Sequence, residues 1–215
     1  MLSSFETHLH PDMVYSFRDM VPVVDASAFV HPDATLIGHV TVGPDCYVGP
    51  GAVLRGDWGK IVLEEGANVQ ECCVLHMFPG AVVHLEKHAH IGHGAMIHGA
   101  HVGENCLVGM NAVLLDDVVL GSESIVGALA LLPANSNWPS RSLIVGNPAQ
   151  IKGQVSDEML AHKSEGTSLY QRLPQEAKSW MHEVKALAEI PDDRHEDFPV
   201  FETWQARKNR KASKD

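Results

Sequence analysis

Three histidines, His76, His93 and His98, are the residues of this sequence whose type and spacing best suit metal binding. His93 and His98 lie five residues apart in IGHGAMIHGA, residues 91–100, and a glycine follows each of them. Ligand pairs on a helix are three or four residues apart, and the glycines of this stretch also disfavour a helix. Which of the three can share an ion therefore depends on the backbone that carries them.

That backbone is predicted by a six-residue repeat of aliphatic residues, each preceded two positions earlier by a small or β-branched residue. Six is not a helical period, but it suits short strands joined by turns, with one aliphatic side chain per repeat pointing inward. Hexapeptide repeats of this kind indicate an all-β fold, a parallel β-helix; a β-sandwich with chance spacing is the alternative. The repeat occupies Val30, Leu36, Val42, Val48 and Leu54, and again Val102, Val108, Leu114, Leu120, Val126 and Leu132.

The register of the repeat predicts that His76 and His98 are neighbours. Residues 77–80, MFPG, have the composition of a four-residue insertion, because Pro and Gly favour loops. Without this insertion, Leu75 lies three hexapeptides, or one coil, before Ile97. The histidines that follow these two residues should then stack about 4.8 Å apart, which is close enough for two imidazoles to share a zinc ion.

His93 belongs to the preceding hexapeptide and therefore to another side of the coil. It is poorly placed to reach the same ion within one chain, but a neighbour related by threefold symmetry can present it. We therefore expect a homotrimer with a three-histidine site at each subunit boundary. Three histidines with an open fourth position are typical of a catalytic zinc. The alternative is that all three are solvent-facing histidines.

Composition narrows the classes of partner. The chain has 215 residues and a formal net charge of −11, so nucleic acid is not an expected partner. No apolar run is long enough to span a membrane, and the N-terminus does not resemble a signal peptide. The four cysteines lack CxxC spacing, which fits a reducing, cytoplasmic location.

The chain is predicted to divide into an N-terminal extension (1–20), a β-helix domain (21–152), C-terminal helices (153–190) and a polar tail (191–215). Ser156 has the features of a helix N-cap, with a first helix over 156–172 that ends at Pro174. A second helix is expected over 175–189. Its apolar stripe, which is expected to pack on the β-helix, consists of Trp180, Met181, Val184 and Leu187.

Several motifs together resemble the γ-class carbonic anhydrase family. They are RGD (55–57), GANVQECCVLH (66–76), IGHGAMIHG (91–99), VGMNAVL (108–114) and VGNPAQ (145–150). Within that family, the segments FVHPDATLIGHV and EGTSLYQRL are most similar to the subgroup of phenylacetic acid degradation and carnitine-operon proteins. The resemblance covers most of the chain and implies that the β-helix is left-handed.

The resemblance also implies roles for individual residues. His76 and His98 of one subunit and His93 of the next would bind Zn²⁺, with Fe²⁺ or Co²⁺ as other suitable ions. Gln70 would hydrogen-bond the metal-bound water, Tyr170 would reach the site from the C-terminal helix, and Arg55 and Asp57 would form a salt bridge at the subunit interface. An apolar wall for the substrate is expected from Trp58, Met77 and Phe78.

Two departures from the family pattern bear on the reaction. The family's proton-shuttle glutamates are replaced by Trp58 and by the short, apolar loop 77–80. An apolar wall suits an organic acyl group better than CO₂. The first hypothesis is therefore a metal-dependent thioesterase that hydrolyses small-molecule acyl-CoA substrates by metal-bound hydroxide. The alternatives are a carbonic anhydrase, a hexapeptide acyltransferase, and a non-catalytic trimeric accessory protein.

Overall fold

The computed structural model describes residues 13–194 and 200–213 and shows a parallel β-helix followed by helices. This confirms the predicted β-helix; its handedness stays a prediction. The strands are β1 (Val14–Tyr15), β2 (Val23–Val24), β3 (Phe29–Val30), β4 (Thr35–Val42), β5 (Tyr47–Val48), β6 (Val53–Leu63), β7 (Asn68–Val69), β8 (Val74–His76), β9 (Val82–Leu85), β10 (His90–Ile91), β11 (Met96–His98), β12 (His101–Val102), β13 (Leu107–Val108), β14 (Val113–Leu114), β15 (Val119–Leu120), β16 (Ile125–Val126), β17 (Leu131–Leu132), β18 (Asn137–Trp138), β19 (Ser142–Val145) and β20 (Gln150–Gln154).

The strands form the three faces of a triangular prism. Face 1 contains β1, β8, β11, β14 and β17, face 2 contains β2, β9, β12, β15 and β18, and face 3 contains β3, β5, β7, β10, β13, β16, β19 and β20. The long strands β4 and β6 turn from face 1 into face 2. We call this corner the 1–2 edge, and the corner where the chain passes from face 3 to face 1 the 3–1 edge.

The interior is filled by the residues that the repeat predicted. Every repeat position is at most 1% exposed except Val30, which is partly buried and packs against the same core. The small-residue positions, such as Cys46 and Cys106, are also buried. The inward side chains of successive coils therefore stack into continuous columns, which fixes the register of each coil on the one before.

The turns between strands explain much of the remaining sequence pattern. One residue in each of six consecutive turns has a left-handed backbone, with φ between 53° and 62°. Asn and Asp tolerate this conformation better than other non-glycine residues. These residues are again six apart, at Asn105, Asn111, Asp117, Glu123, Leu129 and Asn135.

The chain joins the prism earlier than predicted. Although residues 1–12 lie outside the described part, β1 pairs in parallel with β4, so Val14 and Tyr15 already belong to face 1. The boundary of the β-helix at residue 21 was therefore wrong. At the other end, β20 pairs antiparallel with β19 and closes face 3.

Helix α1 (Asp157–Trp180) differs from the prediction at its C-terminal end. Ser156 caps it as expected, its hydroxyl accepting a hydrogen bond from the Met159 N–H at 3.2 Å. The predicted stop at Pro174 was wrong, because Pro174 and Ala177 are buried against the prism and this packing offsets the hydrogen bond that proline cannot donate. The Lys163 ammonium anchors the helix by donating to the His88 carbonyl oxygen at 3.1 Å.

The predicted second helix over 175–189 was also wrong. Residues 181–189 form no regular structure, and the expected stripe is exposed, with Trp180 at 74% and Leu187 at 72%. The tail instead contains helix α2 (Trp204–Ala212), which lies against α1. The Arg207 guanidinium pairs with Glu165 at 3.0 Å. In the described part of the chain, neither helix has the length and apolarity that a membrane crossing requires.

The stacked core generates a stability prediction. Leu120→Ala removes a side chain that is 1% exposed and leaves a cavity, which should lower the free energy of unfolding by about 2–5 kcal/mol. Urea denaturation followed by circular dichroism measures the change. Val119→Ala, the adjacent outward residue at 41% exposure, is the control and should change it by no more than about 0.5 kcal/mol. Equal losses of unfolding free energy in both variants would contradict the assignment of Leu120 as an inward and Val119 as an outward residue.

Candidate metal centre

His76 and His98 lie side by side at the 1–2 edge. They end β8 and β11 and are register partners, as the repeat predicted. Their ring centroids are 5.4 Å apart. One coil of the prism thus places two imidazoles over each other at a spacing suited to a shared ion.

Each of these imidazoles contacts a carboxylate. Asp57 Oδ1 lies 3.1 Å from His76 Nε2, and Asp116 Oδ1 lies 2.7 Å from His98 Nδ1. Histidine ligands of metal ions usually pair their second nitrogen with such a group, which fixes the tautomer. The contact with Asp116 leaves His98 Nε2 for an ion, whereas an ion on His76 Nε2 would replace the contact with Asp57.

Asp116 was not among the site residues predicted from the sequence. The register of the coils still offers a signal: β11 and β14 are offset by 17 residues, because Val102 follows Ile97 after five residues, so Asp116 stacks on Gly99, the residue after His98. A carboxylate one residue beyond the stacked position is therefore within reach of the imidazole.

The electrostatics favour a cation between these groups. Burial lowers the pKa of His76, although its contacts with Asp57 oppose this, so the ring is neutral, as a metal ligand must be. Burial raises the pKa of Asp57, but hydrogen bonds from Arg55 and His76 outweigh it and the net pKa is below the ordinary value. Asp57 is therefore an anion beside a neutral imidazole. Arg55 Nη1 donates to Asp57 Oδ2 at 2.7 Å within the same chain; a place for this ion pair at a subunit interface stays a prediction.

His93 lies elsewhere, at the 3–1 edge after β10. Its Nδ1 contacts a carboxylate oxygen of Glu71, and its Nε2 lies 3.4 Å from the Tyr170 hydroxyl on α1. Within the described residues of one chain, no three His, Cys, Asp or Glu side chains are grouped to hold a metal. His93 thus lies away from His76 and His98, as expected from the sequence, and the structure places the two groups at opposite borders of face 1.

Gln70 lies on the His93 side of the molecule and is held in a buried network. Its amide nitrogen donates to Asn68 Oδ1 at 3.1 Å and to His90 Nε2 at 2.6 Å. Burial lowers the pKa of His90 to about 3, so its ring is neutral and its Nε2 accepts. Both amide hydrogens are thereby engaged, and Gln70 offers only its carbonyl oxygen to a further group. It can accept a hydrogen bond from a water molecule, but it cannot donate one to an oxyanion.

Tyr170 joins α1 to the same network. Its ring centroid is 4.9 Å from that of His90 and 6.3 Å from that of Tyr47. Burial, and then the nearby Glu71 carboxylate, raises the pKa of Tyr170, so its phenol stays protonated and can donate. The helix therefore places a hydroxyl donor beside His93.

Two of the three predicted wall residues border the candidate site. The Trp58 ring lies 5.4 Å from that of His76, and the Phe78 ring lies 5.0 Å from that of His98. Trp58 and Phe78 are 49% and 58% exposed. Met77 was wrongly placed in this wall, because it is fully buried in the core. The alternating direction of successive side chains in an extended segment turns Met77 inward and Phe78 outward.

Comparison with known proteins establishes the family. The chain is 42% identical over 180 residues to the carnitine operon protein CaiE of Salmonella agona, which covers 84% of this chain and 91% of that protein. The chain belongs to the hexapeptide-repeat family. CaiE of Escherichia coli is 41% identical over the same share of the chain. This confirms the resemblance to the carnitine-operon proteins that the motifs indicated.

Models of the hexapeptide-repeat family match parts of the prism. The model described as bacterial transferase hexapeptide (six repeats) matches residues 22–56 and 99–134. The model described as the hexapeptide repeat of succinyl-transferase matches residues 82–115. The first model matches the two runs in which the six-residue step is regular, whereas the match of the second includes the five-residue step from Ile97 to Val102.

Two solved structures have the same fold as this chain. A Bacillus cereus protein provisionally named an acetyltransferase has a TM-score of 0.77 and 28% identity, and the match covers 79% of this chain and 98% of that one. A hexapeptide transferase family protein from Anaplasma phagocytophilum has a TM-score of 0.73 and 30% identity, over 77% and 98% of the two chains. The family thus includes proteins named as transferases.

The carboxylate contact of His98 can be tested by metal affinity. Asp116→Asn should weaken Zn²⁺ binding by about 10–100-fold, because the amide orients the imidazole less well and no longer adds negative charge. Competition with a chromophoric chelator measures the dissociation constant. The control is Asp117→Asn, which makes the same change at an exposed neighbour with φ of 55°. Unchanged affinity in Asp116→Asn would contradict the role of Asp116 as the carboxylate partner of a metal ligand.

Proposed function

We propose that this protein is a metal-dependent hydrolase of acyl-CoA thioesters whose site forms between two copies of the chain. The observation that supports it is the arrangement of the histidines at the two borders of face 1. His76 and His98 stack beside carboxylates at one border, and His93 pairs with Glu71 at the other. Each half-site is incomplete, and each has the carboxylate partners expected of histidine ligands.

The surface of face 1 supports a cyclic trimer. Its outward side chains form an apolar, partly exposed row along the prism, and such a row favours burial against another copy. If three copies pack around an axis with this face inward, the 3–1 edge of one copy meets the 1–2 edge of the next. The row consists of the register partners Val53, Val74, Met96, Val113 and Leu131.

The donor set suits Zn²⁺, and also Fe²⁺ or Co²⁺, because imidazoles are good ligands for all three ions. When bound, such an ion supplies a nucleophile at neutral pH by lowering the pKa of water. The chain's own residues then orient the reactants. The Gln70 carbonyl oxygen can accept a hydrogen bond from water, and the Tyr170 hydroxyl can donate one.

An acyl thioester suits this site better than CO₂. Trp58 and Phe78 present exposed aromatic rings next to the paired histidines, and an aromatic wall favours an organic acyl group. Position 58 and the loop 77–80, which carry these two rings, lack the glutamates that would carry a proton away from the metal-bound water during rapid CO₂ hydration. Carbonic anhydrase activity is thus the weaker candidate, although it would use the same ligands.

The names of the solved relatives favour acyl transfer as a second candidate. Hexapeptide acyltransferases commonly use one histidine as a general base and need no metal ion. Here three histidines each contact a carboxylate, an arrangement that a single general base does not require. Transfer and hydrolysis differ in their acceptor and in their need for a metal ion, so one assay separates them.

The experiment follows thiol release from a panel of acyl-CoA esters, aromatic ones included. The protein is stripped with a chelator and then reloaded with Zn²⁺ or Fe²⁺. We expect release that is lost on stripping, returns on reloading, and falls at least about 100-fold in His93→Ala or His98→Ala. His84→Ala is the matched control, because His84 also stacks with a histidine, His101, at 4.9 Å and contacts a carboxylate.

Mixing the two inactive variants tests the shared site. Chains of His93→Ala and His98→Ala can be unfolded and refolded together into mixed trimers. At some subunit boundaries of these trimers, the intact pair His76 and His98 of the first variant meets the intact His93 of the second. We expect activity and metal binding to return in the mixture but not in either variant refolded alone. Release that survives metal removal contradicts the metal-dependent mechanism, and no recovery on mixing contradicts the shared site.

A further inference from the structure

The 1–2 edge continues beyond the candidate metal centre as a groove of about 410 Å³. It begins at Asp57 and Trp58, which flank His76, and runs toward the N-terminal coils. Its lining includes Gly80 of the insertion and three basic residues, Arg18, His39 and Lys60. The groove is therefore continuous with the site at which an acyl group would react.

The basic residues of the groove belong to successive coils. Arg18 lies in the turn closed by reciprocal hydrogen bonds between Phe17 and Met20. His39 lies one coil later, where the register of β4 on β6 shifts, and Lys60 opens the face-2 part of β6 one coil later again. The coil of Arg18 is three coils from that of His76, or about 14 Å at about 4.8 Å per coil.

The permanent positive charges of the groove, on Arg18 and Lys60, are not neutralised by neighbouring groups. Among the described residues, neither Arg18 nor Lys60 has a carboxylate within 4.0 Å, and all three basic side chains are exposed. The acidic residue of the groove, Asp57, is already engaged by Arg55 and His76. In a chain of net charge −11, a row of unpaired basic groups leading to a candidate active site indicates an anionic ligand.

We propose that this row binds the phosphate groups of the substrate's CoA portion. The inference rests on the proposed function and extends it by assigning the residues that select a CoA ester. In such an ester the pantetheine arm separates the reacting carbonyl from the phosphates, so the phosphates need a site along the edge rather than at the metal ligands. Arg18 offers a planar fork of donors for phosphate, and Lys60 offers a compact charge.

Binding measurements test the assignment without depending on turnover. Isothermal titration compares CoA with pantetheine, which lacks the phosphates, on the full-length protein and on the double variant Arg18→Gln/Lys60→Gln. We expect the variant to bind CoA at least about tenfold more weakly, since hydrogen bonds to charged groups contribute more than neutral ones, and to bind pantetheine as before. Raising the salt concentration should weaken CoA binding in the unaltered protein more than in the variant.

The matched control is Lys152→Gln/Arg194→Gln, which removes the same charge from exposed positions outside the groove. It should leave CoA binding unchanged, and thermal unfolding checks that both variants are folded. Equal affinity of the unaltered protein for CoA and pantetheine, or equal losses in the two double variants, would overturn the proposal.

Phosphate-dependent CoA binding without thiol release would support the groove as a CoA site and reject the proposed thioesterase activity. In a protein that does hydrolyse thioesters, the groove variant should raise KM for acyl-CoA and leave kcat unchanged.

Discussion

The stacking of one coil on the next is the constraint on which the rest of this structure depends. Each short strand contributes one inward aliphatic side chain, and a shift by one residue would turn that side chain to the solvent. The columns through Leu75 and Ile97 therefore hold the backbone of each coil in a single register. Because the backbone is fixed in this way, the positions of the outward side chains are fixed as well. His76 therefore lies over His98 as a result of the coil register alone.

The edges of the prism can accept insertions, whereas the faces cannot. Insertions at the 1–2 edge lengthen a turn without disturbing an inward column. Two of them lie on adjacent coils: the loop 77–80, and residues 57–60 of β6, which oppose the single residue His39 of β4. The Gly80 N–H donates to the Trp58 carbonyl oxygen at 2.8 Å, which ties the two insertions together. A side chain at Gly59 would lie 2.1 Å from the Ala81 carbonyl oxygen, so glycine is required at this close approach. The candidate site thus lies where the fold tolerates new chemical groups beside a rigid support.

The features that follow from the repeat were predicted correctly from the sequence. The features that depend on side-chain packing were not. The faces, the buried columns and the stacked histidines follow from a spacing of six. The path of α1 through Pro174 does not, because it depends on how well that residue packs against face 3. Met77 failed for a related reason, since the sequence did not show that the alternation of β8 continues into the inserted loop and turns Met77 inward. The orientation of the Gln70 side-chain amide could not be predicted, because its partners, Asn68 and His90, are brought together only in the folded chain.

One physical rule connects the two half-sites. A neutral imidazole has one donor and one acceptor nitrogen, so a carboxylate that accepts from Nδ1 leaves Nε2 as the atom that can bind a metal. Asp116 does this for His98, and Glu71 does it for His93 at the far border of face 1. Because the ligands lie on two edges of one rigid prism, only local contacts need to change when copies associate: an ion on His76 Nε2 would replace Asp57, and an ion on His93 Nε2 would replace the Tyr170 hydroxyl. Closure of a ring would then join the two kinds of half-site, and each chain would contribute two histidines to one site and one histidine to the next.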